Sequence, residues 1–172
     1  MMPRGSDQLL LPVNPLFIVL SLVFALACNI VPIGRNPAMP DLLALALVFW
    51  NVHQPRRVGI GLAFMFGLIM DVNDSAILGQ HALAYSLLSY FAIAIHRRLL
   101  WFPLLYQALQ IMPLFFAAHA VSLAIRMLAG GIFPGWQLVL APLFESLLWP
   151  VASLILLAPQ RRPPDQDKNR PL

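Results

Sequence analysis

Residues 8–34 read QLLLPVNPLFIVLSLVFALACNIVPIG, from Gln8 to Gly34, without one charged side chain. A membrane-spanning helix needs about 20 predominantly apolar residues, because the hydrocarbon core is about 30 Å thick. This stretch is long enough, and further apolar runs follow it. Over all 172 residues the chain is 60% hydrophobic and 10% charged. A soluble domain carries about 25% charged residues, so a water-facing shell cannot be assembled from this composition. The chain is read as an all-α, polytopic integral membrane protein with lipid as its solvent.

Six helices with short loops account for the length. Spans are expected over 14–33, from Pro40 to about His53, from Val58 to about Asp71, and over 77–95, 101–125 and 137–158. The domain organisation is then a short N-terminus (1–13), one transmembrane domain (14–158) and a disordered basic tail (159–172). Ala25 to Cys28 loosely resembles a cleavage or lipoprotein site. The apolar run continues to Ile33 and further spans follow, so an uncleaved helix is expected. Cys28 is the lone cysteine, which leaves no intrachain disulfide.

The basic residues sort by loop. With the N-terminus in the cytoplasm, Arg4, Arg56, Arg57, Arg97, Arg98, Arg161, Arg162, Lys168 and Arg170 fall inside, while Arg35 and Arg126 fall outside. The positive-inside rule then places both termini in the cytoplasm, and an even number of spans follows. The net charge of +4 is accounted for by this topology, with no nucleic-acid footprint. Trp101, Trp136 and Trp149 are expected near helix ends, at headgroup level. Pro103, Pro113, Pro142 and Pro150 fall in the last two spans, where neighbouring helices must satisfy the freed carbonyls.

The second and third helices are anomalous. Their charge-free runs, 42–55 and 58–70, are short. Thirteen helical residues reach only about 20 Å. Either the hairpin is re-entrant, or Asp41 and Asp71 lie at membrane depth. A carboxylate at a helix centre costs about 2.5–3.5 kcal/mol on insertion scales. Each therefore has two readings. Asp41 is a helix cap or a polar site. Asp71 belongs to an outer loop or to a polar site. Ala63 and Gly67 form a small-xxx-small pair, with Gly59 and Gly61 before them, a spacing that lets helix backbones touch inside the chain or across to a partner. Glu145 stands in the sixth span, either as a proton-linked site or a buried pair with His119 or Arg126, or as a neutral, hydrogen-bonded acid facing the bundle or lying near the outer headgroups. His53, His81, His96 and His119 have no metal-ligand spacing. No nucleophile or phosphate-binding motif is present, and no metal or cofactor is expected.

In this order and spacing, several short motifs resemble the MreD family of rod-shape-determining membrane proteins. They are Pro40-Asp41, the run Leu47-Val48-Phe49-Trp50, and the turn Pro55-Arg56-Arg57-Val58-Gly59. The most specific is the stretch from Gly61 to Asp71, GLAFMFGLIMD. Leu78-Gly79, Ala82-Leu83, Tyr90 and Leu148-Trp149-Pro150 follow. The resemblance spans about residues 15–158. It implies a non-enzymatic adaptor in the bacterial inner membrane, acting in cell elongation and side-wall peptidoglycan synthesis. The implied partners are MreC, the actin-like MreB, the glycosyltransferase RodA and its transpeptidase. It also implies a fold similar to the substrate-binding subunits of energy-coupling-factor transporters.

Two function classes follow. In the first, the chain is a scaffold whose helix faces, at Gly61 and Gly67 foremost, pack against the membrane helix of MreC. Arg56, Arg57, Arg97 and Arg98 would then set topology and face anionic lipid. In the second, it binds a small molecule or lipid in a cavity near Asp41, Asp71 and Glu145.

Overall fold

The computed structural model describes residues 13–31 and 38–160. Arg4, Arg35 and the basic tail beyond Gln160 lie outside the described residues. Six α-helices are present among those described: α1 (Pro15–Ile30), α2 (Leu42–His53), α3 (Ile60–Asn73), α4 (Gln80–Leu99), α5 (Leu104–Leu128) and α6 (Leu140–Leu157). Short 3-10 turns over Trp136–Val139 and Ala158–Gln160 extend α6 at both ends. Regular structure thus runs past the expected start of the tail at residue 159. Gln160 is buried, and its side-chain amide donates to the Leu156 carbonyl.

Local sequence explains most boundaries. Asn14 caps α1 by accepting from the Leu16 amide at 3.0 Å, and Pro15 takes the first helical position, where its missing N–H costs nothing. Asp41 caps α2 by accepting from the Ala44 amide at 2.9 Å. The α2 helix ends just before Pro55. His96, Arg97 and Arg98 occupy the last turn of α4, where cations favour the helix C-terminus.

The outside of the bundle is apolar. Leu20, Phe24, Met65, Leu83, Leu105, Leu109, Leu147 and Ile155 are all exposed, and they come from five of the six helices. Exposed apolar surface on this scale suits lipid, not water. The α5 helix, and α6 with its flanking turns, each span 25 residues and are long and apolar enough to cross a membrane.

Helices α3, α4, α5 and α6 pack successively side by side, α2 lies against α4 and α6, and α1 packs on α2. Every residue from Leu43 to Val52 is buried. A helix that is apolar all round belongs in an interior, and α2 is the central helix of the bundle. Its 12 residues reach about 18 Å. Trp50 anchors it: its ring meets Phe17 and Phe49 edge-on, and its indole N–H donates to Ser21 Oγ at 2.8 Å.

One tryptophan departs from expectation. Trp101 and Trp136 are exposed near helix ends, but Trp149 is fully buried. Its indole N–H donates to Gln107 Oε1 at 3.1 Å, and its ring packs against Phe49. A buried indole needs an acceptor, and Gln107 of α5 supplies it.

Candidate functional site

Two clusters of buried and half-buried polar groups lie at the end of the bundle opposite the paired arginines. The first is built on the start of α2. Asp41 Oδ1 accepts from Asn29 Nδ2 at 2.6 Å and from the Ala44 amide at 2.9 Å. Asp41 Oδ2 accepts from the Tyr85 hydroxyl of α4. Asn29 Oδ1 accepts from the Leu42 amide at 3.2 Å. Glu145 of α6 is fully buried, and its Oε1 accepts from the Asp41 amide at 2.9 Å. The same oxygen lies 2.8 Å from His119 Nε2 of α5. Glu145 Oε2 has no hydrogen-bond partner among the described residues.

The second cluster is built on the start of α4. Asp71, near the C-terminal end of α3, is fully buried. Its Oδ2 accepts from the Gly79 amide at 2.8 Å and from the Ala82 amide at 3.3 Å. Its Oδ1 accepts from the His81 amide at 2.7 Å and pairs with His81 Nδ1 at 2.9 Å. Gly79 precedes α4 at φ 104°, a left-handed conformation that side chains resist. That geometry aims its N–H at the carboxylate.

The two clusters follow one physical rule. A helix N-terminus leaves its first N–H groups without intrahelical partners. Hydrocarbon offers no water to satisfy them. Helices α2 and α4 have their first N–H groups satisfied largely by carboxylates, two of which come from other helices. The positive end of each helix dipole also favours the negative group. For Asp41, the capping and polar-site readings turn out to describe the same side chain. Asp71 caps a neighbouring helix, and no outer-loop reading accounts for its burial.

Asp41 and Glu145 meet directly, while Asp71 stands in the second cluster. The rings of His81 and Tyr85, one from each cluster, meet edge-on with centroids 6.0 Å apart. His119, not Arg126, is the partner of Glu145: Arg126 is exposed, with its side chain beside Gly131.

The glycines of α3 divide. Gly67 is buried, and a Cβ there would lie 2.3 Å from Ala82 Cα of α4. Its close helix contact is therefore made within the chain, and this corrects its choice as a partner-facing position. Gly61 is exposed with nothing within 4 Å of where a Cβ would stand. Arg56, Arg57, Arg97 and Arg98 are exposed at the other end. Arg57 Nη1 donates to the Val13 carbonyl at 3.0 Å, tying the α2–α3 turn to the start of α1.

Asn29, Tyr85 and His81 are the site residues that pattern reading passed over. Asn29 carries the only amide side chain within α1. That was a usable signal, since an amide in a spanning run needs a partner. Tyr85 and His81 sit on an ordinary mixed helix and carried none.

An all-α bundle with an apolar exterior, and with carboxylates drawn inward to cap its own helices, defines a membrane-type helical protein. The chain belongs to the MreD family: the family model described as rod shape-determining protein MreD matches residues 9–158. The rod shape-determining protein MreD of Haemophilus influenzae is 29% identical over 146 residues, 85% of this chain and 89% of that relative. No solved structure matches the chain significantly. Family membership carries a role in determining rod shape.

Proposed function

We propose that this protein is a non-enzymatic scaffold of the cell elongation complex, spanning the bacterial inner membrane six times with both termini in the cytoplasm. Its helix faces would bind partner membrane helices, that of MreC first. MreB, RodA and the elongation transpeptidase would be reached directly or through the complex. The observation that carries this reading is how the interior carboxylates are used. All four oxygens of Asp41 and Asp71 accept hydrogen bonds from the chain itself. Groups spent this way hold helices together and are not free to meet a ligand. The likeness to energy-coupling-factor subunits is proposed at the level of fold only.

With Gly67 turned inward, the proposed MreC contact moves to the outer face of α3, where Gly61, Phe64, Met65 and Ile69 are exposed. The test is depletion of this protein in its own host, followed by microscopy. Loss of rod shape, restored by the wild-type copy, is the expected result. Unchanged rods after verified depletion would overturn the scaffold reading. A Gly61→Leu copy that inserts normally should lose MreC on co-purification. Full retention would move the interface off α3.

The ligand-binding alternative keeps one foothold, the buried Oε2 of Glu145, which has no hydrogen-bond partner among the described residues. A lipid or small molecule that raises the melting temperature of purified wild type, but not of Glu145→Gln, would favour it.

A further inference from the structure

The connection between α5 and α6 is unusual for a loop. No ionisable side chain occurs between Arg126 and Glu145, and Gln137 is the only polar side chain in that interval. Leu128, Ile132 and Trp136 are each more than 80% exposed, and Phe133, Val139 and Leu140 are also exposed. A loop facing water is normally made of polar turn residues. This one shows its apolar side chains outward.

The loop is also shaped. Gly130 and Gly135 adopt positive φ, at 80° and 94°, and the amides of Ala129, Gly130 and Gly131 close onto the last carbonyls of α5. The Phe133 and Trp136 rings are already in edge-to-face contact, with centroids 5.8 Å apart. Exposed apolar side chains recur from Leu128 of α5, through the loop at Ile132, Phe133 and Trp136, to Leu140, Leu143, Phe144 and Leu147 of α6, with Gln137 the one exposed polar side chain among them. That continuity with the lipid-facing band names the occupant. Tryptophan, with an apolar body and one N–H donor, prefers the headgroup zone. Free backbone groups of the loop can meet water there, as they cannot in hydrocarbon.

We propose that the segment Leu128–Val139 is an interfacial anchor, lying in the headgroup and upper acyl region of the leaflet at the carboxylate end of the bundle. The anchor sets the depth of the polar clusters. Glu145 stands nine positions after Trp136, roughly 14 Å along the axis at helical rise. With Trp136 at the headgroups, Glu145 and the start of α2 lie well inside the hydrocarbon. The short α2 then needs to cover only the remaining depth.

The test uses the whole protein in nanodiscs of phosphatidylethanolamine and phosphatidylglycerol. In a Cys28→Ser background, nitroxide labels are placed at Ile132→Cys and, separately, Trp136→Cys. Leu147→Cys serves as the lipid control and Arg56→Cys as the polar-turn control. Collision with oxygen and with a water-soluble nickel chelate is read by power saturation. The expected result is an oxygen-over-nickel excess at 132 and 136 that lies clearly above that at 56 and below that at 147. Nickel collision as high as at 56 would overturn the proposal, and so would low collision with both reagents, which marks a protein-covered loop. Because a label at 136 removes the tryptophan, the native ring is tested separately. In Trp101→Phe protein, lipids brominated near the headgroup should quench most of the exposed tryptophan emission, and unchanged emission would overturn the proposal.

Discussion

At the scale of single residues, Asp71 concentrates the most interaction. It accepts from three backbone amides and one imidazole nitrogen while fully buried. Hydrogen bonds to charged groups are worth about 1.5–3 kcal/mol each, and a stranded buried donor costs a similar amount. Asp71→Ala should destabilise the protein by on the order of 3 kcal/mol or more, read as a lower melting temperature in detergent. Asp71→Asn keeps one acceptor oxygen and should lose roughly half as much. Equal losses for the two variants would mean that charge, not hydrogen bonding, is what α4 requires. Gly67 and Gly61 form a matched pair. Gly67→Ala places a methyl group into the Ala82 backbone, so α3 and α4 must separate, at about 1–3 kcal/mol or more. Gly61→Ala meets nothing and should leave the melting temperature unchanged.

At the scale of elements, α2 is the helix that the rest of the bundle is organised around. Its start is held by Asn29 from α1, Tyr85 from α4 and Glu145 from α6. Three neighbours therefore converge on a helix too short to reach both membrane surfaces. Removing one of them should loosen the start before the middle. Glu145→Leu should speed hydrogen exchange at the amides of residues 41–44, with little change at residues 47–52, as read by mass spectrometry on the intact protein. Uniform acceleration along α2 would show that Glu145 supports the whole core and not one cap. The small-residue contact of α3 with α4 has the same logic: Ala63 and Gly67 are both buried, and the close approach brings Asp71 onto the α4 N-terminus.

At the scale of the whole molecule, the two ends differ in chemistry. Arg56, Arg57, Arg97 and Arg98 mark one end, and the buried carboxylates lie toward the other. The proposed topology puts the arginines in the cytoplasm. Cysteines introduced at Arg56 and Arg98, in a Cys28→Ser background, should be blocked by a membrane-impermeant thiol reagent only after the cells are opened. A cysteine at Asp74 should react from outside. The opposite pattern would invert the orientation and place the carboxylate clusters toward the cytoplasmic leaflet.

The sequence by itself determined the solvent, the helices and their order. Long apolar runs leave a lipid-facing bundle as the only way to bury backbone polar groups, and Asn14, Asp41, Pro55 and Gly79 punctuate the runs locally. It also marked Asp41, Asp71 and Glu145, because a carboxylate in such a run is costly enough to stand out. Only the tertiary structure decided what those carboxylates touch. Asp71 reaches across a turn to amides eight to eleven residues on, and Glu145 meets Asp41 from 104 residues away. It also decided that Gly67 and Trp149 face inward while Gly61 faces out. Helical spacing says which residues share a face, but not which neighbour covers that face. In lipid, apolar residues are at home on either side, so hydropathy does not mark the interior as it does in water. The pairing of polar groups and the close approach of small residues set the interior instead, and both are properties of the packed bundle.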